Sequence, residues 1–269
     1  MIKLRCVAGA QSTTAPPATV RATRYVTPLR EGGSLPALME ASDDGMYVVK
    51  FRGAGQGPRA LVAELIVGEL ARRLELPVPE IAFVELDPVL GLAEPDPEIQ
   101  ELITASAGLN LGLDFLPGSL PFEPAAGVPL DPELAAAVVW LDALVMNVDR
   151  TPRNPNLLVW HERLYLIDHG AALYPHHQGW QIGEHARRAF PAIRDHVLLP
   201  CAGSIAEADA RLAALLDRSA LDELTALVPD SWLPENADES RVAYADYFES
   251  RLTEPREFAE EAERARVAR

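Results

Sequence analysis

Three polar residues define the chemistry this sequence can support. Asn147-Val148-Asp149-Arg150-Thr151-Pro152-Arg153-Asn154-Pro155-Asn156 is a polar loop that follows an apolar run and enters Leu157-Leu158-Val159. Leu164-Tyr165-Leu166-Ile167 then leads directly into Asp168-His169-Gly170. This order can place Asp149, Asn156 and Asp168 at the ends of adjacent short strands. A carboxylate and an amide oxygen suit a hard cation such as Mg²⁺. The second carboxylate is then left to orient a hydroxyl and take its proton. Phosphoryl transfer needs such a set. Asp and Asn also favour ordinary turns, so the joint spacing carries the reading rather than any one residue.

Such chemistry also needs a cation at the phosphates and a carboxylate to fix it. Lys50 sits in the strand-like Met46–Phe51, and Glu64 follows on a helical segment. Lys3 and Lys50 are the only lysines among 24 basic residues; the rest are arginine. A compact ammonium can follow a phosphate where a guanidinium fork is bulky. Glu69 is a rival to Glu64, but it falls about 140° further around a helix, so both cannot face the lysine. Arg150 is expected to brace the loop and Asp142 to anchor it by hydrogen bonds. Gly32-Gly33 reads equally as a nucleotide-covering loop or a plain hairpin turn. Glu85 and Leu86, at a strand end, could lie at a hinge that meets adenine through backbone groups.

The elements that must position these residues can be traced from pattern. Residues 1–20 read as a loose arm, and Arg21–Ala41 as two short strands around the Gly pair. Pro58 opens a helix over Arg59–Leu74, after the Gly-rich Gly53–Gly57. Leu76-Pro77-Val78-Pro79 stops it, and Ile81–Leu86 reads as a strand. Residues 87–132, rich in Pro and Gly, read as an inter-lobe insert. Glu133–Met146 is a second helix. Asn156–Trp160 and Leu164–Ile167 form a strand pair, and 180–269 is mostly helical. The class is α+β: an arm at 1–20, a small β-rich N-lobe at 21–90, and a mainly helical C-lobe at 91–269.

Bulk properties narrow the partners. The chain has 269 residues, 48% hydrophobic and 24% charged, which is ordinary for a packed protein. A net charge of −16 disfavours nucleic acid and anionic membranes. Two distant cysteines, Cys6 and Cys201, make no metal or disulfide framework. His169, His176, His177 and His185 lack zinc-site spacing. No run approaches the roughly 20 apolar residues of a membrane span, so a cytoplasmic protein is expected.

The stretches Asp142–Trp160 and Leu164–Pro175 resemble the HipA-like kinases, especially the short bacterial HipA-like kinase domains. They are also similar to the active-site stretch of type II phosphatidylinositol 4-kinases. Asp142 matches an Asp seven residues before the catalytic Asp, Asn147 an Asn two before it, and Asp149-Arg150 the Asp-Arg pair. Ile167-Asp168-His169-Gly170 matches the metal-binding turn. These families usually place the ligand Asn five residues after the catalytic Asp, which is Asn154. Matching the strand start gives Asn156 with a two-residue insertion, and is preferred. The resemblance covers Arg21–Leu86 loosely and Asp142–Pro175 well.

The resemblance implies a bilobal protein-kinase-like fold. Asp149 would be catalytic, Asn156 or Asn154 with Asp168 would be the metal ligands, and Lys50 with Glu64 the phosphate-binding pair. ATP and Mg²⁺ would be the cofactors. The acceptor would be a hydroxyl, on protein Ser/Thr before a small molecule or lipid. A nucleotide-binding module without turnover is the alternative, and a toxin of a toxin–antitoxin pair a more distant one.

Overall fold

Strands come first in the chain, and helices dominate its end. In the computed structural model, which describes residues 16–29, 35–55, 57–126, 129–178 and 185–269, five strands close into a barrel. They are β1 (Ala18–Pro28), β2 (Ala37–Ala41), β3 (Met46–Lys50), β4 (Ile81–Leu86) and β5 (Gly108–Asp114), in the order β1-β2-β3-β5-β4. A parallel pairing of β1 with β4, from Ala18 opposite Ala82 to Arg21 opposite Glu85, closes the ring. β1 thus begins inside the stretch expected to be a loose arm. Gly32 and Gly33 lie outside the described residues.

β5 comes from the stretch read as an inter-lobe insert, so the barrel takes in residues beyond 90. Its sequence GLNLGLD has no β-branched or aromatic residue and gives little strand signal. Gly112 is there for fit: a Cβ would stand 2.6 Å from Val84 Cγ2. Val20, Met39, Val49 and Val84 fill the barrel, and α2 (Pro97–Ala105) adds Ile99 and Ile103 to that core.

α1 (Pro58–Arg73) starts at Gly57, whose φ of 64° suits glycine, with Pro58 at its first position. Every residue from Leu61 to Ala71 is buried. The helix packs against β5 on the barrel side and against the C-terminal elements Arg218–Ala226 and Asp230–Trp232. α3 (Pro132–Leu144) is capped by Asp131, which accepts from the Glu133 N–H at 3.1 Å, and is buried from Leu134 onward.

A small sheet of β6 (Leu120–Pro121), β7 (Leu157–Trp160) and β8 (Arg163–Leu166) follows, with β7 and β8 joined by a turn at His161-Glu162. The end of the chain is helical: α4 (Ile205–Leu212), α5 (Arg218–Ala226), α6 (Ala237–Leu252) and α7 (Glu257–Val267). The main apolar core joins α1, α3 and these helices. Among the described residues no helix is long and apolar enough to cross a membrane, and no His/Cys/Asp/Glu group has metal-site geometry of three or more.

Candidate active site

Lys50 ends β3 with its side chain nearly buried, at 8% exposure. Its Nζ donates to the Glu64 carboxylate and to Asp168 Oδ1, the latter at 2.6 Å. Glu64 Oε1 also accepts the Gly170 backbone N–H at 2.7 Å. One carboxylate therefore ties β3, α1 and the Asp168 turn together. Burial opposes the charge on Lys50, but Glu64 and Asp168 outweigh it and raise the ammonium above its ordinary value. Burial pushes Glu64 up against the pull of Lys50. Asp168 is also penalised by burial, yet Lys50 draws it below the ordinary carboxylate range. Glu69 is buried elsewhere and takes Arg72 Nη1 at 2.7 Å, so Glu64 alone of the two reaches Lys50.

These groups line a cleft together with Asp149 and the loop of Ala54, Gly55 and Gly57. Sequence reading recorded that loop as Gly-rich without giving it a place at the site.

The loop from Asn147 to Asn156 hangs from Asp142, near the end of α3 and fully buried. Its Oδ2 accepts from Arg150 Nε at 2.6 Å and from His196 Nε2 at 2.8 Å. Its Oδ1 accepts from Asn147 Nδ2 at 3.0 Å. Asn147 Oδ1 in turn accepts the Asp149 backbone N–H at 3.1 Å. The Leu198 N–H donates to His196 Nδ1, so the ring proton is on Nε2 and faces Asp142. Burial works against the Asp142 charge, but Arg150 and His196 override it and hold the carboxyl far below its usual range.

Arg150 is 1% exposed, and its bonds are internal. Nη1 donates to the carbonyls of Asn156 and Ile167, and Nη2 to His169 Nδ1 at 3.1 Å. It joins the start of β7 to the end of β8. Arg150, read from the sequence as a brace of the loop, is not among the residues that line the cleft. Burial, helped by Arg150, pushes His169 down to about 3, so its ring is neutral.

Asp149 Oδ2 accepts from both Asn154 Nδ2 at 2.8 Å and Asn156 Nδ2 at 3.1 Å. The two asparagines differ in backbone. Asn154 closes an exposed turn with Thr151. The Asn156 carbonyl accepts from the Ile167 N–H at 3.1 Å, which sets it beside Asp168. Asn156 and Asp168 both occupy the left-handed region, with φ of 50° and 55°. Such strain in non-glycine residues concentrates at functional sites.

Glu85 and Leu86 are not at the crossing between the halves. β4 leads into α2 and returns through β5, Leu86 is 2% exposed in the barrel core, and Glu85 points to solvent. The chain leaves the barrel at Phe115–Ser119, after β5. That correction follows from the strand hidden in the Gly-rich stretch. His196 was also missed, because its partner Asp142 is 54 positions away and no local pattern marks it.

A family model described as HipA-like kinase matches residues 23–256. Among solved structures, the fold is similar to a Helicobacter pylori proinflammatory kinase, CtkA, with a TM-score of 0.56, 12% identity, and 94% of this chain and 99% of that chain covered. A Golgi casein kinase is similar at a TM-score of 0.46 and 15% identity, over 95% of this chain and 73% of that one. No curated protein sequence matches. The barrel and helical halves are the two lobes of a protein-kinase-like α+β fold. With the family model spanning most of its length, the chain belongs to the HipA-like kinase family and is a kinase.

Proposed function

We propose that this kinase transfers the γ-phosphoryl group of ATP, with Mg²⁺, to a hydroxyl acceptor, and that the acceptor is a protein Ser or Thr. The observation that carries the reading is Lys50 bonded at once to Glu64 and Asp168 across a cleft that Asp149 also lines. The residues fit the cofactors: Asp168 is half exposed beside a buried cation, and Asn156 offers an amide oxygen at the adjoining strand. Asn156 and Asp168 would hold Mg²⁺, which would supply positive charge against that of the phosphates. Lys50 would bind phosphate oxygens, kept in place by Glu64. Asp149 would accept a hydrogen bond from the acceptor hydroxyl and take its proton. The backbone at Phe115–Leu116 would meet the adenine. Arg150, Asn147 and Asp142 would hold the loop.

Calorimetry with ATP and Mg²⁺, together with ATP turnover and autophosphorylation, tests this. Asp168→Asn should abolish Mg²⁺-dependent binding with the fold intact. Asp149→Ala should bind ATP and lose turnover by on the order of 10²-fold or more. Unchanged turnover in Asp168→Asn overturns the assignment. Wild-type binding without any phosphoryl transfer makes the protein a nucleotide-binding module instead.

A further inference from the structure

We propose that the C-terminal segment from Arg218 to Trp232 holds α1, and with it Glu64, against Lys50, and that Trp232 is the positioning residue of this clamp. Trp232 is 3% exposed. Its Nε1–H donates to the Leu109 carbonyl on β5 at 3.0 Å. Its ring meets Phe83 on β4 edge-on, with centroids 5.6 Å apart at 68°. Its turn, Asp230–Trp232, contacts α1, and Trp232 lines one pocket with Val62, two residues before Glu64. Arg52, two residues after Lys50, donates to the neighbouring Ser231 carbonyl at 3.3 Å. The clamp therefore reaches the chain close to both members of the lysine–glutamate pair.

Further contacts hold it at both ends. Arg73, which ends α1, pairs with Glu223 on α5 at 3.1 Å. Arg241 on α6 donates to the Val228 carbonyl at 2.6 Å, bracing the segment from behind. Leu221, Leu224, Val228 and Trp232 share one apolar core with Leu61, Val62 and Leu65 of α1. The exposed Arg73–Glu223 pair adds little by itself. The buried indole, with its ring contact and its N–H both satisfied, contributes more.

In kinases the lysine–glutamate pair must be in place for activity, and movement of its helix is a control point. Here the helix is fixed by the chain's own C-terminal segment. The consequence for nucleotide rests on the reading of the cleft given above, but the clamp itself can be tested without nucleotide. The chain has two lysines, Lys3 and Lys50. Acetylation of the full chain with a limiting amine-reactive reagent, read by mass spectrometry as the Lys50-to-Lys3 ratio, reports how tightly Lys50 is held. Glu64→Gln sets the ratio for a released lysine. Trp232→Leu should raise the ratio about fivefold or more, and Trp232→Phe, which keeps the ring contact and loses the N–H, should fall between. Phe258→Leu removes a buried ring that packs on Trp140 of α3 rather than on α1. It should lower Tm without changing the ratio.

In turnover assays Trp232→Phe should raise the KM for ATP by the inverse of the fraction of chains that keep α1 in place, and keep kcat at saturation, because ATP then draws α1 back from the displaced population. An unchanged ratio in Trp232→Phe and Trp232→Leu overturns the clamp. So does an equal rise in Phe258→Leu, which would report general loosening. A wild type that does not turn over ATP would sink the proposed function and leave the labelling result to decide the clamp.

Discussion

Two charged networks flank the loop that carries Asp149, and they face different surroundings. Lys50, Glu64 and Asp168 open onto the cleft, where the Asp168 side chain is 42% exposed. Asp142, Arg150 and His196 are sealed, with side chains 0%, 0% and 2% exposed. Both oxygens of Asp142 are committed to protein donors. The open network retains a half-exposed carboxylate that an incoming cation can use. The sealed network has no such surface, so its charges hold geometry and do not meet substrate. Substitutions in the two should therefore fail in different ways.

The largest effect is expected at the sealed network. Asp142→Ala leaves the Arg150 guanidinium buried without its counter-charge and frees Asn147 and His196. Breaking a buried pair in this way costs about 3–5 kcal/mol, a large part of a typical protein's stability. Chemical denaturation should show a fold lost or close to it. Acid should act in the same direction by degrees. Burial lowers the His196 pKa below its ordinary 6.5, so the fold favours the neutral ring. That stability is complete above pH 6.5 and declines below it. His169, pushed down to about 3, adds to the decline over the same range. Asp142, held far below its ordinary 3.8, adds stability that is present above pH 3.8 and goes only in stronger acid. Denaturant melts at pH 7 and pH 5 should separate accordingly; equal stability at the two would contradict the neutral, buried histidines.

Lys50→Met should do the reverse, costing activity and sparing the fold. With Lys50 in its proposed role at the phosphates, its loss should reduce ATP turnover by on the order of 10²-fold or more. The fold should survive because Glu64, already raised by burial, can protonate instead of standing as a bare buried charge. Its drop in Tm should be well below that of Asp142→Ala. A Lys50→Met protein that unfolds would make the open network as structural as the sealed one.

How far each network could be read from sequence follows from the reach of its contacts. Asn156 and Asp168 flank one hairpin and Asp149 lies in the loop that enters it, so all three are close in sequence and their types and spacing are legible. Lys50 and Glu64 are separated by one loop, and the strand–helix order places them. Asp142, Asn147 and Arg150 are also local, since the end of α3 and the loop share a turn. His196 and Trp232 escape such reading, because their partners are 54 and 123 positions away. β5 escaped because glycine chosen for close packing against Val84 carries a turn signal in sequence. That one hidden strand also moved the hinge from Glu85–Leu86 to Phe115–Ser119, inside the stretch read as inter-lobe. The family resemblance, resting on the local residues, agrees with the family model across residues 23–256.

The smallest difference is also the finest test of the open network, and it lies between Asn154 and Asn156. Both amides donate to Asp149, so hydrogen bonding to that residue does not separate them. The backbone does: only the Asn156 carbonyl is bonded to the residue before Asp168. Asn154→Ala should therefore change Mg²⁺ affinity in the presence of ATP by less than about threefold, since its exposed turn is closed by backbone groups. Asn156→Ala should weaken Mg²⁺ by about 10–100-fold, the range seen when a group that tunes a metal site is removed. It should also destabilise the turn by about 1–2 kcal/mol, because alanine is disfavoured at a φ of 50°. Asn156→Gly separates the two effects: glycine accepts that φ without strain but supplies no oxygen. It should recover the stability and not the Mg²⁺ affinity. An Asn156→Gly protein that binds Mg²⁺ as tightly as the wild type would leave the asparagine as a turn residue and pass the metal to other oxygens of the cleft.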